Sequence, residues 1–299
     1  MIKTLIAGCS SPVAGELFRI LVHHPDVELL SPYFPELKGQ SVTETYYGLT
    51  GDTDLRFTSV LNIEQADVAF ICGEEPLAEA VRDYGRSHPD FRIIDLSEDF
   101  HPGSLMEGYV YGVPEIYRKP LVRGATKAVI PGCTELMTLV ALYPLALNLL
   151  LSGNVDLTVC FPVHTPLKYR DPRHAAECVE TVLRSFQNSW NGSVRFNVNE
   201  SDSTTGMRVT ARLRCGLDAG ELMKVYDSVY DDHNFTFFSL RKNNLNEVTG
   251  THKSLITLSP CGEELEVEII SDAVLRGGAG DAVHVMNLLF GLHEKQVSA

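Results

Sequence analysis

Short apolar runs recur along the first part of the chain, and the stretches between them carry helical spacing. Residues 2–7, 27–30, 68–71 and 91–94 are such runs. Strands of a parallel sheet read this way because helices cover both of their faces. Residues 15–22 and 76–85 carry apolar positions at helical intervals between the runs. This alternation predicts an α/β fold built on a Rossmann-type doubly wound sheet.

Further along, the pattern changes. Residues 126–130 read as a strand, Pro131 and Gly132 as a turn, and 134–151 as a long buried helix. Strands are then predicted at 155–163, 194–198, 207–215, 255–258 and 265–271, with helices at 175–190 and 219–229. That order predicts a second, α+β domain. A glycine turn at 277–280 feeds a final apolar helix at 282–292. At 299 residues the chain is longer than one ordinary domain. The expected division is a dinucleotide-binding domain at 1–132, completed by 277–299, and a catalytic and dimerisation domain at 133–276.

Composition excludes several classes of function. A hydrophobic fraction of 44% is that of a globular core. With 25 basic against 39 acidic residues, a formal charge of −14 and no basic cluster, nucleic acid is not expected as a partner. No apolar run approaches the roughly 18 residues of a membrane span. Leu5 to Cys9 looks like a lipoprotein cleavage site, but too few residues precede it for the apolar stretch of about 7–15 that a signal peptide needs. The seven cysteines are odd in number and widely spaced, which predicts reduced thiols and a cytoplasmic protein. No Cys-x-x-Cys occurs, so no metal is expected.

Three places carry chemistry. Gly8, Ser10, Ser11 and Gly15 lie between the first strand and the first helix. Glycine there lets backbone approach a pyrophosphate, and the helix end offers N–H donors, although the Gly-x-Gly-x-x-Gly spacing is absent. Cys133 follows Pro131 and Gly132 and opens a long helix. The positive helix end favours a thiolate, the species that attacks an acyl carbon. His174 opens another predicted helix and suits acid–base work beside a thiol, with His164 as the competing choice among ten histidines.

Taken together, these segments resemble the N-acetyl-gamma-glutamyl-phosphate reductases, relatives of aspartate-semialdehyde dehydrogenase. Residues 15–25 look like that family's first helix and its closing His-Pro. Asp95-Leu96-Ser97-Glu98-Asp99-Phe100 and Tyr111-Gly112-Val113-Pro114-Glu115 are similar to two further motifs. Pro131-Gly132-Cys133 resembles the segment of the catalytic cysteine, and Arg173-His174 with Glu177 that of the catalytic histidine. Gly280 through Leu292 looks like the closing helix. The resemblance implies reduction of an N-acyl-gamma-glutamyl phosphate with NADP or NAD, as in arginine biosynthesis. Cys133 would form a thioester, His174 serve as acid and base, Arg173 hold an anionic group, and Gly280 belong to the coenzyme site. A homodimer or homotetramer is implied as well.

Departures from the pattern keep two alternatives in view, a reductase for a different acyl phosphate and a non-catalytic or regulatory dinucleotide-binding protein. Ile130 stands where the family has asparagine, His101 where it has arginine, and Glu75-Pro76 where it has His-Gly. Pro162-Val163-His164-Thr165-Pro166-Leu167 replaces a glycine-rich segment. Glu36 follows Gly15 by about the 20 residues at which a carboxylate meets the ribose of NAD. A carboxylate there repels a 2′-phosphate, with Lys38 as a partial counterweight, so NAD(H) is expected to bind at least as well as NADP(H).

Overall fold

The computed structural model describes residues 1–9, 11–73, 76–97, 100–162 and 172–296. The chain divides into two compact units. One joins Met1–Asp99, Met106–Ile130 and Gly278–Ala299, and the other joins Phe100–Leu105 and Pro131–Gly277.

The first unit opens with β1 (Ile2–Ala7), α1 (Pro12–Val22), β2 (Val27–Leu29) and the short α2 (Val42–Thr45). It continues through β3 (Val68–Ile71), α3 (Leu77–Ser87), β4 (Arg92–Asp95), β5 (Tyr109–Tyr111), α4 (Pro114–Val122) and β6 (Lys127–Val129). The strands pair in the order β2-β1-β3-β4-β6-β5, every neighbour parallel. This is the doubly wound sheet that the apolar runs predict. From β1 the chain moves outward to β2 and then crosses back to β3, so the winding reverses between β1 and β3. Ligands of such sheets bind outside the carboxyl ends of the strands at that reversal.

Apolar side chains account for the sheet. Leu5, Ala7, Ala69, Ile71 and Ile93 are fully buried, and Ala78 and Val81 of α3 pack on them. The Asp95-Leu96-Ser97 segment has a structural task at the end of β4. Asp95 is fully buried, accepts from Arg82 Nε at 2.9 Å and from the Ser97 N–H at 2.9 Å, and so closes the strand end with paired charges.

The second unit contains α5 (Cys133–Leu147), β7 (Val155–Pro162), α6 (Pro172–Phe186), β8 (Val194–Ser201), β9 (Gly206–Arg214) and α7 (Ala219–Tyr230). It ends with β10 (Thr236–Ser239), β11 (Ser254–Cys261) and β12 (Glu264–Asp272). Its strand order is β10-β11-β12-β9-β7-β8, mixed in direction, with β7/β8 and β10/β11 parallel. Met207, Val209, Ala211 and Leu213 alternate as the buried positions of β9, as a strand with one covered face requires.

Helix α5 covers that face. Thr134 through Ala146 are all buried, yet Pro144 stands inside the helix and cannot donate to the carbonyl of Val140. Tyr230 of α7 donates its hydroxyl to Val140 instead, and Tyr226 donates to the Ala141 carbonyl at 2.6 Å. The helix stops at Leu147, short of the predicted 151, because the chain turns through Leu149 at φ +59°. Gln187 then brackets both backbone groups of Leu151, at 3.0 and 2.9 Å.

The last element, α8 (Ala279–Phe290), belongs to the first unit and packs on α1, α4 and β4. His24 at the end of α1 hydrogen-bonds Asn287 at 3.1 Å. Beyond α8, Glu294 accepts from His284 at 2.9 Å and pairs with Arg118, and these bonds hold its carboxyl down at about 2. No helix among the described residues is long and apolar enough to cross a membrane.

Candidate active site

At the carboxyl end of β1 the chain turns at Gly8, whose φ is +89°. A Cβ on Gly8 would lie 2.4 Å from the Cα and N of Gly73, just beyond β3. The two strand ends at the reversal of winding therefore meet glycine against glycine, and Gly8 is required by packing whatever binds there. The Gly8 N–H is occupied by the Tyr33 carbonyl at 3.2 Å.

Ser11 caps α1, its hydroxyl accepting from the Ala14 N–H at 3.2 Å. Pro12 at the first helical position has no N–H to offer, which leaves this helix end with fewer donors than a glycine-rich loop has. Tyr46 reaches over the turn and donates to the Cys9 carbonyl at 2.6 Å. Glu36 sits exposed in a short 3-10 turn, Pro35–Leu37, and Lys38 beside it is exposed too. Gly280 lies buried in the first turn of α8. Ser10 and His164 lie outside the described residues.

The second unit holds the candidate nucleophile. Cys133 is the first residue of α5 and is half-buried. Its N-cap is Gly132, at φ −64° and ψ 160°, which brings no side chain to bond the first-turn N–H groups. Glycine at the cap leaves the positive end of the helix beside Cys133 without a side-chain cap. Two of the other thiols are held in the neutral form. Burial pushes Cys9 up to about 12 and moves Cys72 in the same direction, so neither ionises at neutral pH.

His174 lies in the first turn of α6, half-buried, and α6 packs beside α5. Its Nε2 is 3.4 Å from the Sγ of Cys178, one helical turn on. The His101 ring stands edge-on to it at 6.4 Å. His101 is itself fixed: Nδ1 accepts from the Gly103 N–H at 3.1 Å and Nε2 meets the Thr181 hydroxyl at 3.3 Å. Because Nδ1 accepts, the proton of the neutral ring is on Nε2, which donates to Thr181. Arg173 is exposed beside His174.

Sequence reasoning misses three neighbours of this site. Cys178 follows His174 by the four residues that align side chains on a helix, so its spacing was a usable signal. Neither His101 beside His174 nor Gly277 against Cys133 leaves a local sign, because both act across long sequence separations.

Comparison with known proteins adds three findings. The family of the semialdehyde dehydrogenase NAD binding domain matches residues 3–123. An N-acetyl-gamma-glutamyl-phosphate reductase of Parabacteroides distasonis is 30% identical over 98% of this chain and 97% of its own length, and one of Phocaeicola vulgatus is 31% identical over the same shares. Among solved structures, aspartate semialdehyde dehydrogenase II of Vibrio cholerae superposes with a TM-score of 0.73 over 97% of this chain and 98% of its own, at 14% identity. A probable aspartate-semialdehyde dehydrogenase of Pseudomonas aeruginosa gives a TM-score of 0.70, covering 97% of this chain and 98% of its own at 18% identity. These two likenesses show a shared fold.

Proposed function

The chain belongs to the N-acetyl-gamma-glutamyl-phosphate reductase family, and on that premise we propose that it reduces an N-acyl-gamma-glutamyl phosphate, or a closely related acyl phosphate, to the semialdehyde. The observation that carries this reading is Cys133, half-buried at the first position of a long helix whose N-cap is a bare glycine.

The coenzyme fits the first unit. The paired glycines Gly8 and Gly73 keep side chains out of the strand ends where the winding reverses, and α1 begins beside them. Gly8, Ser10, Ser11 and Gly280 would line the dinucleotide, with Glu36 beyond the end of β2 toward the ribose. When bound, NAD(P)H supplies the hydride. Glu36 is exposed and disfavours a 2′-phosphate, which supports use of NAD(H) at least as readily as NADP(H).

The chain's own residues do the rest. The Cys133 thiolate attacks the acyl carbon; a C–S bond forms, the bond to the phosphate oxygen breaks, and inorganic phosphate leaves with that electron pair. The helix end that favours the thiolate is the device that lets cysteine work at neutral pH. His174 takes the thiol proton and gives a proton to the substrate oxygen as the tetrahedral centre forms. It takes that proton back as the carbonyl re-forms and the C–S bond breaks to free the semialdehyde and the Cys133 thiolate. Arg173 offers a cation to an anionic group of the substrate.

The test is direct. The purified protein is given acyl-glutamyl phosphate with each coenzyme, and oxidation of the coenzyme is followed at saturating substrate. Cys133→Ser abolishes turnover and removes the acyl adduct seen by mass spectrometry, while coenzyme binding survives. Turnover near the parent's in that variant would discard Cys133 as the nucleophile. A parent that binds coenzyme but neither turns over nor labels selectively at Cys133 would favour the non-catalytic alternative.

Ile130, His101 and the replaced segment at 162–167 favour a second reading within the same class, a reductase for a different acyl group. A panel of N-acyl variants, compared by kcat/KM, separates the two readings. We also place the protein in the cytoplasm as a homodimer or homotetramer, a state that sedimentation of the purified chain measures.

A further inference from the structure

Gly277 ends the turn that follows β12, at φ +66°, a conformation that side-chain-bearing residues rarely adopt. A Cβ placed on it would lie 2.4 Å from the Cys133 nitrogen, 2.5 Å from Cys133 Cα and 2.6 Å from the Gly132 carbonyl carbon. All three are backbone atoms at the start of a helix buried along its length, so none of them can rotate out of the way.

The turn that carries Gly277 is fastened at its base. Asp272 is 3% exposed. One of its carboxylate oxygens accepts from the N–H groups of Val274 at 3.0 Å and Leu275 at 3.3 Å. The other accepts from the Thr205 hydroxyl at 2.6 Å and the Gly250 N–H at 2.8 Å. The Asp272 carbonyl takes the Arg276 N–H at 2.8 Å, which sets the residue next to Gly277. A buried carboxylate with this many donors is anchored firmly, because losing any one of them leaves charge poorly solvated.

We propose that Gly277, held in place by Asp272, is a positioning residue for the nucleophile: its bare backbone sets where the first turn of α5, and with it the Cys133 thiol, stands. The proposal rests on Cys133 being the reacting thiol. Other glycines of the same unit supply the contrast. Gly250 and Gly262 are also left-handed, at φ +74° and +63°, but a Cβ on either would meet nothing within 4 Å. They carry the backbone requirement without the close approach.

Gly277→Ala and Gly262→Ala therefore form a matched pair. Each pays the same left-handed penalty, and only the first pushes on Cys133. Full-length protein is treated with iodoacetamide, and the alkylation rate of Cys133 is read by peptide mass spectrometry beside kcat, KM and the dissociation constant for the coenzyme. Displacement of a reacting group by about 1 Å costs on the order of 10²-fold in rate. Gly277→Ala should lose about that in kcat and slow Cys133 alkylation severalfold, with coenzyme affinity unchanged. Gly262→Ala should stay within about twofold of the parent in every readout, as a surface turn does.

A reactive Cys133 in the parent with no loss in Gly277→Ala overturns the positioning role and leaves the functional reading standing. Equal losses in both variants overturn it as well, since backbone strain alone would then explain them. A parent whose Cys133 is not selectively alkylated overturns the functional reading, and this proposal with it. If Gly277→Ala does not fold, Thr205→Val loosens the Asp272 anchor without adding bulk near the cysteine; it should lower kcat and the alkylation rate severalfold at unchanged coenzyme affinity, and parent-like values overturn the proposal.

Discussion

The chain uses a Gly-Cys pair twice, each time where a parallel strand gives way to a helix. Gly8-Cys9 follows β1 and Gly132-Cys133 follows β6. In the first, the helix starts three residues after Cys9, with a serine cap and a proline as its first residue, and Cys9 is buried with its thiol pushed up to about 12. In the second, the cysteine is itself the first helical residue, the cap is glycine, and the thiol is half-buried. One helix start carries a side-chain cap; the other does not. The two turns thus differ in what occupies the cap and in how deeply the thiol is buried.

The largest effect expected from breaking this contrast is on the cysteines themselves. Cys133→Ser should depress acyl reduction by about 10⁴-fold or more, because a hydroxyl is a far poorer nucleophile at neutral pH. Cys9→Ala should leave turnover within about twofold, since it fills a packed site with a smaller apolar group. In the native protein Cys9 should also resist alkylation through pH 9, because a thiol near 12 stays protonated there, while Cys133 labels. Labelling of Cys9 before Cys133 would reverse the assignment of the two turns.

The histidine comes next. His174→Asn should lower kcat by about 10²–10⁴-fold with folding intact, and His164→Asn should do much less. Stopped-flow turnover at saturating coenzyme measures both. The opposite ranking would place the acid–base role outside α6.

Much of this architecture is legible in the sequence, and the reasons it stops being so are physical. Strands β1, β3 and β12 announce themselves because burial demands runs or alternation of apolar residues. The three-residue β5 does not, since it is an edge strand of Tyr-Val-Tyr that needs no such run. Helix α4 escapes notice because Pro120 lies inside it and Tyr117 breaks its geometry. The apolar residues at 149–151 read as helix, yet Leu149 turns the chain and Gln187 takes over the backbone bonds of Leu151. At the site, Cys133 is visible because a cysteine opening a helix has a local signature. Gly277, which abuts it, has none, for only the folded chain brings the two backbones together. Segment 100–105 groups with the second unit through the contacts of its short turn with α6, which no composition change marks.

The cap itself can be exchanged. Gly132 adopts an extended conformation open to any residue, so Gly132→Ser would install at α5 the cap that α1 already has. The new hydroxyl would accept from first-turn N–H groups and compete with the thiolate for them. The Cys133 thiol should become less acidic, which slows its alkylation severalfold at pH 7. An unchanged pH profile of alkylation would mean that the helix end does not tune this thiol.

The smallest expected effect comes from the reverse exchange in the first unit. Ser11→Ala removes the hydroxyl that accepts from the Ala14 N–H and leaves that donor to the carbonyl of residue 11, 3.1 Å away. Loss of an N-cap costs about 1 kcal/mol, a shift of a few degrees in Tm for a chain of this size. Because Ser11 also stands where the dinucleotide would lie, the same variant weighs the two roles against each other. A purely structural serine should lower Tm and leave the dissociation constants for NADH and NADPH alone. A serine that also meets the pyrophosphate should weaken both coenzymes by a similar factor of about five to ten, the net worth of one hydrogen bond of about 1 kcal/mol. Glu36→Ser separates this from ribose recognition, since it should favour NADPH relative to NADH without touching Tm. Loss of Tm with both affinities intact would leave the turn after β1 as a capped helix start and confine coenzyme contact to its backbone.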